Sequence, residues 1–216
     1  ETEERKRVTE MRSLLTQINP HLLYNTLNMI DDLIDTGTKE ELHGVVEALA
    51  QLLQYGLDRR RSNERTFREE LENVSHYWHI VTMRYHRQFR LEVSERARAM
   101  GAAKLPKLTL QPLVENAIVH GIEPSAKFGL VVVRGESEGG THRIIVEDNG
   151  QGMTAEQLAE LESRVTGPLE EETGCGLWNI HQRLVHRYAE GSGLSFSAAE
   201  GNGFRIEMKW RDGDER

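Results

Sequence analysis

The hydrophobic pattern of this chain changes period once, near residue 88, and that change limits it to a helical part followed by a mixed helix-and-sheet part. Upstream, Val8, Met11, Leu15, Ile18 and Leu22 recur at spacings of three and four, the stripe of a helix that packs on a partner helix. The stripe continues through Met29 or Ile30 to Leu33, and Gly37 ends it. A second helix is predicted over 39–57, with Leu42, Val45, Val46, Leu49, Leu52 and Leu53 on its apolar side. One helical hairpin has too little surface to bury both stripes, so dimerisation into a four-helix bundle is the natural solution. A third helical stretch, 67–85, keeps Leu71, Val74, Trp78 and Val81 in register.

Downstream, Phe89, Leu91 and Val93 alternate with Arg90, Glu92 and Ser94, the mark of a half-buried strand. Short apolar runs at 130–133 and 144–146, and the alternation of Leu194, Phe196, Ala198 and of Phe204, Ile206, Met208, Trp210, bring the total to about five strands, largely antiparallel. Helical patterns lie between them at 107–120, 155–164 and 176–188. This order implies an α+β unit, one sheet with helices on one face. The expected divisions are 1–66, 67–87 and 88–216.

Charge narrows the partners. Lys and Arg number 27 against 35 Asp and Glu, a net charge of −8. Without a clustered basic stripe the chain is not expected to bind nucleic acid. Arg59-Arg60-Arg61 is followed by Glu64, Glu69 and Glu70 and reads as a solvated helix end. Cys175 is the single cysteine, which excludes an internal disulfide. The uncharged run 13–30 holds Gln17, Asn19, Pro20, His21, Asn25 and Asn28, which a bilayer would leave unsatisfied. The charged opening, with no start signal, suggests a fragment of something longer. His76 and His79 have no third ligand in a metal-binding spacing, and His181 and His186 read as surface residues of the last helix.

Four segments carry chemistry. Asp148-Asn149-Gly150-Gln151-Gly152-Met153 follows a strand. A carboxylate there accepts from the exocyclic amine of adenine, where guanine offers a carbonyl, and Gly150 and Gly152 permit positive φ and close approach to a ligand. A plain Asn-Gly turn is the alternative. Gly174-Cys175-Gly176-Leu177 opens a helix, where free N–H groups suit phosphate, or where glycines serve packing alone. In 110–121, Asn116 and His120 lie at i, i+4. Asn116 is an oxygen ligand suited to Mg²⁺, and Glu115 beside it is a candidate base, unless this is an ordinary polar face. In 17–28, Pro20 removes the bond to the Thr16 carbonyl and kinks the helix beside His21. Neutral imidazole is a good nucleophile toward phosphorus near pH 7, although a histidine in a bundle can also serve a polar layer.

Together these segments resemble the sensor histidine kinases of the LytS/YehU type, in the GHKL ATPase superfamily. The stretch around His21 is similar to the phospho-acceptor box, 110–121 to the N box, Asp148–Gly152 to the G1 box and Gly174–Gly176 to the G2 box. Gly201-Asn202-Gly203-Phe204 is similar to the closing glycine turn, and 71–85 to the linker helix. The resemblance implies a dimeric four-helix bundle followed by a GHKL (Bergerat) α/β sandwich with a mixed sheet. In it, 1–66 holds dimerisation and phosphotransfer helices, 67–87 a linker helix and 88–216 an ATP-binding domain. It implies ATP and Mg²⁺ as cofactors, phosphorylation of His21, and transfer to an Asp of a response regulator. Asn116 would hold the metal. Asp148, Gly150, Gly152, Gly174, Gly176, Leu177 and His120 would line the nucleotide site, under a lid at 153–173. Asn25 would orient a water for dephosphorylation. The chain would be the cytoplasmic part of a parent anchored in the membrane through another region. A nucleotide-driven module or a scaffold without phosphotransfer are the competing readings. Two departures stand out: Leu22 replaces the acid that often follows the acceptor histidine, leaving Glu115 or solvent as base, and Val119 replaces an N-box lysine.

Overall fold

The computed structural model describes residues 20–58, 64–85, 89–124, 128–168 and 175–211. The predicted stripe from Val8 to Ile18, the turn of helix around Thr16 that the Pro20 kink concerns, Gly174 and the acidic run 170–172 lie outside them. The chain divides into two compact units. One holds the chain up to Asn63 together with Glu72–Arg87, and the other holds Glu64–Leu71 and Gln88–Arg216. Residues 64–71 thus group with the sheet, a division that periodicity alone does not reveal because the third helix runs through it.

In the helical unit, α1 (Pro20–Thr36) and α2 (Lys39–Leu57) form the expected hairpin. Thr38 starts α2 with a capping box: its hydroxyl accepts from Glu41 N–H, and the Glu41 carboxylate accepts from Thr38 N–H. Val45, Ala48, Leu49 and Leu52 are its buried side. Gly44 lets the His79 imidazole pack close, since a β-carbon there would sit 2.8 Å from Nε2. Tyr24, Leu27 and Ile34 of α1 stay 51–65% exposed.

In the sheet unit, β1 (Glu64–Thr66) pairs antiparallel with β3 (Lys104–Pro106). The helix α3 (Phe67–Arg84) starts directly after β1. The main sheet runs β2 (Phe89–Val93), β4 (Gly129–Glu138), β5 (Thr141–Asp148), β7 (Phe204–Arg211), β6 (Gly193–Ala198). Only β2 and β4 are parallel, so the sheet is mixed. Helices α4 (Glu95–Ala99), α5 (Leu110–Asn116), α6 (Ala155–Thr166) and α7 (Cys175–Arg187) complete the unit. Val131, Val133, Ile144, Val146, Ile206, Met208 and Trp210 point to one buried face, with Leu110, Leu113, Val114, Ile118, Ile180 and Leu184 supplying the helical side of the core. The other face carries Arg134–Glu147, Arg205–Glu147, Arg205–Glu207, Arg143–Glu207 and Arg143–Glu136 pairs. These pairs are exposed or half-buried at a solvated face, where such pairs contribute about 0–1 kcal/mol each, so they keep that face solvated rather than hold the fold. Sequence periodicity missed β1 and β3, three residues each, and α4, a single turn begun by Ser94. No helix among the described residues is long and apolar enough to cross a membrane.

Candidate functional site

Asp148 is the last residue of β5, only 4% exposed, and on the helix-covered face. Its Oδ1 accepts from Gly150 N–H at 2.8 Å and Phe204 N–H at 3.4 Å. Its Oδ2 is buried with no hydrogen-bond partner. Burial raises the carboxyl pKa above its ordinary value, against those two bonds. A buried orphan acceptor is a standing cost that an incoming N–H donor removes.

The approach to this carboxylate is built from backbone. A β-carbon on Gly121 would stand 2.6 Å from Asp148 Oδ1, and one on Gly150 would stand 2.0 Å from Gly121 O. One on Gly203 would stand 1.7 Å from Asp148 O, and one on Gly152 2.1 Å from Asn202 O. Gly152 has φ +66, as expected from sequence, whereas Gly150 is required by proximity and not by a positive φ. Gly121 had no role in the sequence reading; its place at the end of an apolar helical run was the available signal. Asn149 is consumed structurally: its Oδ1 accepts from Leu130 N–H and its Nδ2 donates to Phe128 O. A depression of about 460 Å³ lies against Asp148 on the opposite, ion-paired side of the sheet, lined by Leu130, Val132, Arg134, Glu147 and Arg205 among others. The orphan oxygen lies on the helix-covered side.

The 110–121 segment is brought to the Asp148 loop. After α5 the chain widens into a π turn, Ala117–Ile122, closed by Glu123 N–H to Ile118 O at 2.8 Å. Gln151 N–H donates to Gly121 O, and its side-chain amide donates to His120 O. Asn116 ends α5 half-buried, with Glu115, also half-buried, beside it. His120 lies within the π turn with its side chain exposed, whereas Asn116 is half-buried. Among the described residues no group of three or more His, Cys, Asp or Glu is arranged to hold a metal ion.

At the start of α7, Gly176 is exposed and a β-carbon there would meet no atom within 4 Å, while Leu177 is half-buried. Nothing among the described residues demands glycine at 176. Trp178 Nε1 donates to Gly167 O, tying α7 to the end of α6. His181, read from sequence as a surface residue, is instead half-buried: Leu194 N–H donates to its Nδ1 at 3.1 Å. Burial lowers its pKa from the ordinary 6.5. The depressed pKa means that stability present above pH 6.5 is lost as pH falls through the folded-state value. Lowering pH from 7 to 5 should therefore reduce Tm more in the wild type than in His181→Asn, whose Oδ1 keeps the acceptor, by roughly 2–4 °C. Equal slopes in a thermal-melt series would refute this.

In the helical unit, His21 lies in the first turn of α1 and is exposed. The Asn25 amide nitrogen lies 3.2 Å from its Nδ1 and 3.1 Å from its Nε2. The i, i+4 spacing puts that amide against the ring.

Residues 9–89 match the family model described as histidine kinase, and residues 101–213 the model for histidine kinase-, DNA gyrase B-, and HSP90-like ATPases. The sensor histidine kinase YesM of Bacillus subtilis is 34% identical over 92% of this chain and 32% of its own length. The sensor protein LytS of Oceanobacillus iheyensis is 32% identical over 86% and 32%. The chain thus spans about a third of the length of these curated relatives. The putative uncharacterized protein YwpD of Bacillus subtilis is 34% identical over 92% of this chain and 69% of its own length. Among solved structures, the catalytic domain of histidine kinase ThkA aligns with 70% of this chain and 97% of its own, at a TM-score of 0.50 and 16% identity, a likeness of fold alone.

Proposed function

We propose, on the premise that this chain belongs to the sensor histidine kinases of the LytS/YehU type, with their histidine kinase-, DNA gyrase B-, and HSP90-like ATPase domain, that it phosphorylates its own His21 from ATP. The observation that carries the reading is the orphan Oδ2 of Asp148 in a glycine-walled approach. An adenine amine satisfies that oxygen; the guanine carbonyl in the same place would repel it.

In this mechanism the sheet unit holds the adenine at Asp148, and Gly121, Gly150 and Gly152, by their lack of side chains, let the surrounding backbone pack close about that carboxylate. Asn116, with Glu115 beside it, would hold Mg²⁺; a single half-buried amide oxygen fits an ion that keeps most of its waters and binds mainly to phosphates. Bound there, Mg²⁺ neutralises charge on the phosphates. Gly176 and Leu177 at the start of α7, with Gly174 shortly before them in sequence, are the candidates to meet the phosphates, and His120 is a further candidate to add a contact. A neutral imidazole nitrogen of His21 attacks the γ-phosphorus, the bond from γ-phosphorus to the bridging oxygen breaks, and ADP leaves with that electron pair. The ring proton passes to Glu115 or to solvent. Positioning and charge neutralisation supply most of the rate. Asn25 steadies the ring and would orient a water for dephosphorylation, in which water attacks the phosphohistidine phosphorus and inorganic phosphate leaves.

The exposed Tyr24, Leu27 and Ile34 recur along one side of α1, the stripe a second copy would cover in a four-helix bundle. The phosphoryl group then passes to an Asp of a response regulator. The parent attaches to the membrane through sequence outside this chain, which remains cytoplasmic. The test is to incubate the chain with Mg²⁺ and γ-labelled ATP and map the label. Acid-labile, base-stable label on the peptide containing His21 is expected; ATP binding with no label, or label on a hydroxyl side chain, would overturn the reading.

A further inference from the structure

The helix that carries Asn116 is not capped by its own sequence. Its N-cap residue, Thr109, has helical φ and ψ (−102°, −44°) and makes no side-chain cap bond, its hydroxyl donating instead to Pro106 O. The first N–H groups of a helix need acceptors. Here one buried carboxylate from another element supplies them. Glu70, in the first turns of α3 and 0% exposed, accepts from Leu108 N–H through Oε1 at 2.8 Å, and from Thr109 and Leu110 N–H through Oε2, both at 2.8 Å.

A second side chain holds an overlapping stretch of the same segment. Arg183 of α7 donates to Lys107 O at 2.6 Å, Leu108 O at 3.1 Å and Thr109 Oγ1 at 3.2 Å. Between the two clamps Leu108 sits at φ +55, a conformation an L side chain rarely adopts and keeps only when its surroundings over-determine it. Burial pulls the Arg183 guanidinium below its ordinary pKa, and the Glu70 charge opposes that pull. The clamp residues lie in the sheet unit. Two further bonds fix the start of α3 there: Phe67 N–H to Ala103 O and Arg68 N–H to Gly101 O.

We propose that Glu70 is a positioning residue of the kinase reaction: by capping α5 it sets where Asn116 and the Gly121 turn stand relative to Asp148. It rests on the sheet unit being the ATP-binding domain of an autokinase. Leu110, Leu113 and Val114 are fully buried, so α5 moves as a rigid piece. Asn116 lies six residues beyond Leu110, about 9 Å along the axis at 1.5 Å per residue. A displacement at the cap therefore reaches both the metal-holding amide and the turn that walls the adenine site. Arg183 ties the same cap to α7, whose other end opens at Gly176, so one buried acid orders both helices flanking the phosphates. Beyond Leu71, α3 continues as part of the helical unit, which makes the capping residue covalently continuous with the segment that carries the acceptor histidine.

The test compares the full chain with Glu70→Gln and Glu70→Ala. Three quantities are read: Kd for Mg-ATP by calorimetry, the labelling rate at saturating Mg-ATP, and Tm. Glu70→Ala should weaken ATP about tenfold and slow labelling at saturation by about a hundredfold, the scale of a 1 Å misplacement. Glu70→Gln should fall between, because its carbonyl oxygen replaces one carboxylate oxygen while its NH2 opposes the remaining N–H. A merely structural role would lower Tm yet leave Kd and the rate per folded molecule within about twofold of wild type, and that result overturns the proposal. Should Glu70→Ala fail to fold, Arg183→Gln removes the opposing clamp and must shift Kd in the same direction; wild-type affinity there is equally fatal. If wild type binds Mg-ATP but takes no label, the autokinase reading fails on its own, and the Kd series still decides whether Glu70 positions the nucleotide site.

Discussion

Asp148→Asn should abolish measurable ATP binding while making the nucleotide-free protein slightly more stable. Both halves come from one geometry. Asp148 Oδ1 accepts from Gly150 and Phe204 N–H, so an asparagine must leave its carbonyl oxygen there and place its NH2 where Oδ2 now sits unpartnered. The adenine amine then meets a donor instead of an acceptor. Losing a charge-assisted bond and burying two facing donors costs about 3 kcal/mol or more, a hundredfold or greater loss of affinity. In the empty protein the sign reverses. The Asp148 pKa is raised, by burial above all. A carboxyl whose folded pKa exceeds its unfolded one stabilises the fold only while protonated, and its charge becomes a net cost as pH rises through the folded value. At pH 7–8 the neutral amide removes that cost. Melting curves should therefore cross: the variant melts at or above wild type without nucleotide and below it at saturating Mg-ATP. A variant still stabilised by ATP to the wild-type extent would remove Asp148 from the adenine site.

What could be read from the sequence divides along physical lines. The helices at 39–57 and 67–84 and the strands at 89–93, 193–198 and 204–211 were legible because a long amphipathic element repeats its own signal. Glycines at 150 and 152 were legible as marks of close backbone approach to a ligand, but only coordinates name what approaches, Gly121 O and Asn202 O, and add Gly203 against Asp148 O. The π turn was not legible, since 117–122 reads as a continuing helix, and its widening is fixed by the Gln151 contacts arriving from thirty residues later. Glu70 was hidden more deeply. Beside Glu69, which closes a capping box with Thr66, it looks like a second solvated acid of a helix start; its partners at 108–110 are about forty residues away. His181 was misread for a similar reason, because the amide it accepts from belongs to β6.

Replacing His21 by alanine should reduce label from γ-labelled ATP to background, a loss on the order of 10³ or greater, with Kd for Mg-ATP held within about twofold. The two effects separate because they sit in different units: His21 lies in the helical unit and Asp148 in the sheet unit. Covalent transfer needs a nucleophile with a lone pair in the plane of attack, and neither alanine nor a neighbouring amide supplies one. His21 is exposed, so its removal should change Tm little. Asn25→Ala gives the graded contrast. Its amide lies 3.1–3.2 Å from the ring nitrogens, so losing it should slow labelling about fivefold, the worth of one net hydrogen bond of about 1 kcal/mol, without preventing it. An order of severity with His21→Ala at background, Asn25→Ala reduced and both binding ATP normally is what a nucleophile and its orienting neighbour require. If His21→Ala still incorporates acid-labile, base-stable label, another nitrogen is the acceptor, and the exposed imidazole at the start of α1 has some other purpose.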